Sequence, residues 1–556
     1  MNRAEDLAAA QRGDSWDLLV VGGGIAGAGV ALEAARAGAR VALVEARDFA
    51  GGTSSRSSKL VHGGLRYLGQ GRIGLTRESL HERDALLTQA PGLVRPLRFV
   101  LPVRAGTKPG KRKLGIGLGL YDWLAGRRTR RWHDAAGVQG LAPGLDGHGL
   151  QGGWSYLDAQ ADDARLVLRV LGEARRLGAR VLNHVRVDSL LLADAPSASG
   201  ARVQGARLID SVSGTEFDVK ARCVVNATGV WADVLRASLG HAPMLRPLRG
   251  SHLLIPDWRL PLAQAVGLFH PHDGRPVFAL PWEGATLVGT TDLDHREDLA
   301  QEPGITRVEL DYLLTALRHA FPALALGEAD VRSTWSGVRP VVSSGKDVAP
   351  SSEPREHLVL DEQGLVTVTG GKLTTFRATA LQALQCVAKH VPALAQARPD
   401  AKISATILAP TSPATTAALG HLPPELRDRW LARFGDAAVS VMSTVPASEQ
   451  QTIANTGIAW AELRWACRHE AVVHLDDLLL RRTRLGLLLR DGGAELAPRL
   501  RPLVQQELGW TDGDWLREWT RYQAQIARCY AVPRHVPEPI TEPTRRRLTD
   551  APRVTA

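Results

Sequence analysis

Three glycines, a carboxylate and a run of hydroxyls near the start of the chain have the types and spacing to hold a dinucleotide. Gly22, Gly24 and Gly27 follow the G-x-G-x-x-G pattern within DLLVVGGGIAGAGVALEAARAGARVALVEARD. Gly22 permits a tight turn, Gly24 lets the backbone approach a pyrophosphate, and Gly27 lets a helix pack closely on a strand. The pyrophosphate then meets N–H groups at a helix N-terminus, where the macrodipole favours negative charge. Glu45 follows about 20 residues beyond the turn, where a carboxylate accepts hydrogen bonds from an adenosine ribose. Taken alone, the turn does not choose between a nicotinamide and a flavin.

The next residues extend the same chemistry. Thr53, Ser54, Ser55, Ser57 and Ser58 set hydroxyl groups near the pyrophosphate, and Lys59 adds positive charge. Gly63 and Gly64 let the backbone pass close to a planar ring, with the polar side chains of Arg66 and Tyr67 just beyond. Thr228 and Gly229, at the exit of VVNATG, are small enough for a strand end to approach a flat ring or a phosphate.

The elements that must position these groups are legible as a βαβ unit. Asp17 to Val21 is a short apolar strand, the Ala-rich segment after it is a helix closed by Gly38 as a left-handed cap, and Arg40 to Val44 is the second strand. An echo of this pattern starts at Asp162, a candidate N-cap. Leu166, Val170 and Leu177 mark its apolar face and Gly178 its end. Strands are expected over 181–192, 202–209 and 221–227. Between Arg246 and Thr291, short alternating segments with turns predict an antiparallel sheet, of the kind that caps a cofactor. A strand, a glycine pair and a helix from Leu365 onward return to the nucleotide layer. Residues 401–413 have linker character, helical periodicity dominates after them, and the tail from Val532 is expected to be poorly ordered.

Composition narrows the class. The 556 residues exceed one ordinary core, and the balanced apolar and charged fractions describe a soluble globular protein. Cys223, Cys386, Cys467 and Cys529 lack the spacing of a zinc site or a disulfide framework, so no metal is expected and a reducing compartment is the natural setting. No export signal and no run of about 18 apolar residues is visible. The net charge of +10 is concentrated in part at Lys108, Lys111, Arg112, Lys113, Arg127, Arg128, Arg130 and Arg131. These flank LGIGLGLYDWLAG, a composition suited to lying on anionic lipid, although the glycines and prolines of 106–126 weaken a helix there. A solvated basic loop, or a patch that attracts an anionic substrate, is the alternative. Nucleic acid is not expected, because no recognition motif accompanies the charge.

Together these segments resemble the FAD-dependent, respiratory glycerol-3-phosphate dehydrogenases of the D-amino-acid-oxidase-like flavoprotein superfamily. The resemblance runs from about Trp16 to Arg490. It rests on GGGIAGAG (22–29), TSSRSSKLVHGGLRYL (53–68), DDARLVL (162–168), NATG (226–229), GSHLL (250–254), GTTD (289–292), SGVRP (336–340) and GGKLTTF (370–376). The second of these is the most specific.

The resemblance implies an α/β fold: a Rossmann-type FAD-binding domain, an antiparallel β-sheet substrate or cap domain, and a C-terminal helical domain. The expected boundaries are 14–90, 152–240 and 335–398 for the discontinuous FAD-binding domain. The cap takes 91–151 and 241–334, with a membrane-facing basic segment at 106–131. The helical domain spans 401–531 and the tail 532–556. FAD is the implied cofactor, held by Gly22, Gly24, Gly27, Glu45, Thr53, Ser54, Ser58, Lys59, His62, Gly63, Gly64, Asp158, Thr228, Gly229, Gly371, Lys372, Leu373 and Thr374. Arg66, Tyr67, Arg339, Arg355 and Lys372 are the implied substrate residues, since a phosphate dianion needs arginine forks and a lysine point charge.

The implied reaction is oxidation of sn-glycerol 3-phosphate by hydride transfer to FAD, with electrons passed to a membrane quinone. Arg339 or Lys372 stabilises the developing alkoxide. His62 and His252 are the candidate bases, His252 slightly favoured because it could descend onto the ring from the cap strand. Peripheral attachment to the inner, cytoplasmic face of the plasma membrane follows from the resemblance, and a homodimer is left open. The rival readings are an oxidase of the same substrate using oxygen, an amine or amino-acid oxidase of the same fold, and a flavin-binding protein without turnover. Gln160 and Ala161 replace bulkier residues of the relatives beside Tyr156 and Asp158, and the helical domain keeps only a scattered likeness, best at LLRRTRLGLLL (479–489).

Overall fold

The computed structural model describes residues 1–13, 15–106, 109–193, 202–346, 348–350, 353, 356–396 and 406–534. Lys108, Arg355, the first part of the expected linker and nearly all of the expected tail lie outside them.

The nucleotide layer is an eight-stranded sheet ordered Leu358–Glu362, Leu365–Thr369, Glu216–Asn226, Trp16–Val21, Val41–Val44, Arg180–Leu182. All neighbours from Leu365–Thr369 onward run parallel, as buried apolar strands joined by crossovers require. Leu358–Glu362 closes one edge antiparallel, and an antiparallel hairpin of Val185–Leu192 and Val203–Asp210 extends from the long central strand. Helix Ile25–Arg36 crosses between the first two strands and packs against Asp163–Arg176 and Phe376–Val387. The expected punctuation is local and is seen. Gly38 and Gly178 have φ of 85° and 101°, and Asp162 accepts the N-terminal hydrogen bond of Arg165 at 3.2 Å.

The cap is a ten-stranded sheet that draws on more of the chain than 241–334. Leu245–Pro256 pairs antiparallel with both Ala285–Gly289 and Ser333–Val342. Val94–Arg104, Leu150–Ala161 and Leu60–Val61 complete the other side. One pair, Ala265–Phe269 with Val94–Arg104, is parallel, so the sheet is mixed rather than purely antiparallel. The segments 152–161 and 335–342, expected in the nucleotide domain, therefore belong to the cap sheet. Their alternating pattern suits either sheet, and only long-range register decides.

Lys111–Leu124 forms a helix despite its glycines. Leu118, Tyr121 and Leu124 bury one face, and Asp122 closes the following turn by accepting from Thr129 N–H and Arg130 N–H. Helices from Pro413 to Gln525 make the C-terminal unit. It meets the nucleotide layer through a buried ionic seam. Asp48 binds Arg481 and Arg482, Asp162 binds Arg433 and Arg484, and Arg165 binds Glu470.

Candidate functional site

Between the two sheets lies a cavity of about 880 Å³, long enough in its wall residues to run from the glycine turn to the cap. At the turn, Gly22 has φ of 117°, and a Cβ there would stand 2.4 Å from the Ala227 carbonyl oxygen. Gly24 borders the cavity in extended conformation as the N-cap residue of helix Ile25–Arg36. Gly27 does not line it; a Cβ would fall 1.9 Å from the Gly22 oxygen, so its role is the tight helix–strand contact. These cradles fit a pyrophosphate passing over backbone.

Glu45 also lines the cavity, its carboxylate accepting from Gly23 N–H at 2.6 Å and Arg47 N–H at 2.9 Å. Burial raises its pKa against these two hydrogen bonds, and a ribose diol donating there would restore what desolvation removes. Replacing Glu45 with Gln is expected to weaken FAD retention about tenfold, the loss of roughly 1.4 kcal/mol for one charge-assisted hydrogen bond, read by equilibrium dialysis of the flavin.

The loop that follows is divided by the structure. Ser54 caps the nucleotide helix, its hydroxyl accepting from Ile25 N–H at 3.0 Å, and Thr53 donates to the Val338 carbonyl, joining the loop to the cap. Thr53, Ser54 and Ser58 line the cavity, as do Thr228 and Gly229 opposite. Lys59 does not. It is fully buried and turned away, its Nζ 3.0 Å from Asp163 and 2.9 Å from the Ser55 carbonyl. Burial lowers its pKa to about 8 against the pull of Asp163. The expected pyrophosphate charge is thus an internal ion pair, because a carboxylate 104 positions along the chain neutralises it.

At the other end, His62, Gly64, Arg66 and Tyr67 reach the cavity. Gly64, with φ of 77°, starts the short helix Leu65–Gly69 that carries Arg66 and Tyr67. Gly63 packs instead against Leu80 and the Tyr121 hydroxyl. Asp158 lines the cavity and anchors this corner by accepting from Gly63 N–H (3.1 Å), Arg83 Nη1 (2.9 Å) and Tyr121 OH (2.9 Å). Opposite, Gly371, Lys372, Leu373 and Thr374 form a turn whose Thr374 hydroxyl accepts from His62 N–H at 3.2 Å. Lys372 Nζ lies 3.9 Å over the Tyr67 ring and 3.1 Å from Ser79 Oγ.

The two candidate bases are placed differently. His62 borders the cavity, and burial lowers its pKa, opposed by Asp158 and reinforced by Lys372 and Arg83. His252 is buried behind the wall, stacked on Trp335, with Nε2 2.8 Å from Ser58 Oγ. Burial, with Arg339 and Lys59, holds its pKa well below the usual histidine value. His252, expected to descend onto the ring, does not itself line the cavity; its Nε2 is bonded to the hydroxyl of Ser58, which does.

Arg339 enters from the cap, with Nη1 3.2 Å from Asp292 Oδ1 and Nη2 3.2 Å from Thr290 Oγ1. Arg275, missed in the sequence, also lines the cavity, 3.8 Å from the same Asp292. Its only signal was one arginine beside a turn glycine, indistinguishable from surface charge. The GTTD motif did mark Thr290 and Asp292. The side chains of Asp48, His184 and Asp477 also converge, but Arg481 bridges the two carboxylates, which fills that group with a guanidinium.

Chemically, the glycine turn and Glu45 fit an adenosine diphosphate, and the same cavity is also lined by Arg66, Arg275, Arg339, Lys372 and the imidazole of His62. Such cations suit a doubly charged small substrate. Lys372 carries a pKa lowered to about 8 by burial, with Glu78 opposing. It is charged below that value and neutral above it, so an anionic substrate is expected to lose affinity as pH rises through 8. The check is KM against pH, with Lys372→Arg flattening the rise.

Comparison with known proteins accords with this geometry. Residues 17–380 match the FAD dependent oxidoreductase family, and residues 382–514 match the C-terminal domain of alpha-glycerophosphate oxidase. The chain is 36% identical over 549 residues to glycerol-3-phosphate dehydrogenase 2 of Mycobacterium tuberculosis, covering 94% of this chain and 91% of that one. It is 39% identical over 387 residues to aerobic glycerol-3-phosphate dehydrogenase of Staphylococcus aureus, covering 68% of each. Among solved structures, the glycerol-3-phosphate dehydrogenase from Bacillus halodurans complexed with FAD aligns with a TM-score of 0.74 and 28% identity, covering 95% of this chain and 97% of that one. The L-alpha-glycerophosphate oxidase from Mycoplasma pneumoniae shares the fold, with a TM-score of 0.53 at 18% identity over 67% of this chain and 95% of that one.

Proposed function

The chain belongs to the FAD-dependent oxidoreductase family, and from that premise we propose that it oxidises sn-glycerol 3-phosphate to dihydroxyacetone phosphate and delivers the electrons to a membrane quinone. The observation that carries the substrate is that Arg66, Arg275, Arg339 and Lys372 all line the cavity that the dinucleotide cradle also lines, Arg275 and Arg339 sharing Asp292 and Lys372 lying over the Tyr67 ring. A carboxylate substrate needs one such cation; a phosphate dianion uses several.

Oxidation removes a hydride from C2 and a proton from its hydroxyl. When bound, FAD supplies the hydride acceptor and then the electron donor to the second substrate. The chain does the rest. Arg275 and Arg339, set side by side by Asp292, hold the phosphate. Lys372, braced by Tyr67 and Ser79, faces the oxygen on C2 and stabilises the charge that develops there. His62, uncharged at neutral pH, accepts the hydroxyl proton. The family oxidase reading differs only in the acceptor. Oxygen uptake with glycerol 3-phosphate separates the two: a quinone enzyme consumes little oxygen until a quinone and a respiratory chain are supplied, and rapid peroxide formation by the isolated enzyme contradicts quinone use.

Support for a membrane acceptor comes from helix Lys111–Leu124. Ile116, Leu120 and Trp123 are 75%, 37% and 74% exposed, at spacings of four and three that put them on one outward ridge. Lys111, Arg112, Lys113, Arg127 and Arg128 surround the ridge and are exposed as well. Leu114 on the same helix lines the flavin cavity, as do Leu101 and Phe99, so the helix that carries the exposed ridge also reaches the cavity. No helix among the described residues is long and apolar enough to cross a membrane. Attachment is therefore interfacial in this reading, at the inner face of the plasma membrane. Ile116→Ser with Trp123→Ser is expected to release the enzyme from phosphatidylglycerol vesicles in sedimentation while leaving turnover with a water-soluble dye intact. Undiminished sedimentation contradicts it.

A further inference from the structure

A second, smaller cavity of about 330 Å³ lies at the other end of the strand that carries Arg339. Ser333 begins that strand and borders this cavity, whereas Arg339 and Val341 near its end border the flavin cavity. The walls come from the cap on one side and from the C-terminal unit on the other, including Arg490 to Gly492 and Tyr530. No residue lines both cavities.

Four arginines face this space: Arg259, Arg332, Arg490 and Arg534. Arg259 is already neutralised, its Nε 2.5 Å from Asp330. The other three have no ion pair and no side-chain hydrogen bond to any described residue, in a chain that pairs most of its arginines. Arg332 is half-buried, and burial together with the charge of Arg490 lowers its pKa, opposed by Glu495, which makes no ion pair with it among the described residues. Asp491 is the one lining carboxylate besides Asp330, and it is exposed. Trp258 stands at the rim, 67% exposed. Arg490 and Arg534 are exposed at the mouth and Arg332 is half-buried, so the cavity has a positive wall whose mutual repulsion a bound counter-charge would offset.

We propose that this cavity binds a compact polyanion of the phosphate or pyrophosphate class, clamped by Arg332, Arg490 and Arg534 between the cap and the C-terminal unit. The site is separate from the one proposed for the substrate phosphate and stands whether or not glycerol 3-phosphate is oxidised. Its volume falls within the range of small-ligand pockets, and three guanidinium forks match the geometry of phosphoryl oxygens.

The test is calorimetric titration of the FAD-loaded full chain with inorganic pyrophosphate at low salt. The wild type and Arg339→Ala should share one binding event, which Arg332→Ala with Arg490→Ala weakens at least about tenfold. Arg490→Glu, at an exposed position that the fold does not depend on, should weaken it too. The absence of that event in the wild type overturns the proposal. So does its loss in Arg339→Ala, which would place the anion in the flavin cavity, or its persistence unchanged in Arg490→Glu.

Discussion

Arg339→Ala is expected to lower kcat/KM for glycerol 3-phosphate by about 100- to 1,000-fold while FAD content stays near that of the wild type. The guanidinium is fixed at two points, Asp292 at 3.2 Å and Thr290 at 3.2 Å, on a strand paired along its length with Leu245–Pro256. A cation so oriented is set before substrate arrives and loses little freedom on binding. Removing one member of a desolvated charge pair costs about 2–5 kcal/mol, and each 1.4 kcal/mol is a factor of ten. Arg339→Lys keeps the charge without the fork and should recover only part of the loss. Steady-state kinetics at neutral pH decide the matter. Values of kcat and KM within threefold of the wild type would show that the phosphate does not bind there.

Asp163→Ala is expected to destabilise the fold by about 3–5 kcal/mol and to speed flavin loss. Asp163 has no exposed surface and accepts from Lys59 at 3.0 Å, from Ser57 Oγ at 2.7 Å and from Arg484. Truncation leaves buried Lys59 without a carboxylate and takes from Arg484 one of its two, leaving it Asp162. It also frees the 53–59 loop, whose Thr53, Ser54 and Ser58 line the cavity. Lys59→Met with Asp163→Leu removes both charges but leaves Arg484 to Asp162, so it should cost less than Asp163→Ala alone. Urea unfolding and the rate of FAD release measure both effects. A midpoint unchanged by Asp163→Ala would mean that the C-terminal unit contributes nothing to the cofactor loop.

Features with short-range causes were readable from the residues. Gly22 and Gly38 need backbone angles or approaches that only glycine supplies, and Asp162 caps its own helix, so each announces its conformation locally. Lys59 was misplaced because its partner, Asp163, lies 104 positions away, and nothing beside Lys59 reveals whether its charge faces a ligand or an internal carboxylate. His252 was misplaced for the same reason: its orientation depends on Ser58 and Trp335, each in a different part of the chain. Gly63 has the sequence context of a ring contact but meets Leu80 and Tyr121. The glycines of 106–126 argued against a helix by propensity, yet burial of Leu118, Tyr121 and Leu124 outweighs that bias. Sheet membership of Ser333–Val342 was hidden because alternation fixes which face is buried, not which neighbour it pairs with.

Anaerobic addition of glycerol 3-phosphate to the FAD-loaded enzyme, followed by the visible flavin absorbance, joins substrate, cofactor and chemistry in one observation. Full bleaching by glycerol 3-phosphate at substrate concentrations that leave glycerol and glycine without effect is the expected result. A flavin that stays oxidised, or one bleached equally by glycerol, would contradict a site built around a phosphate dianion and a hydride acceptor.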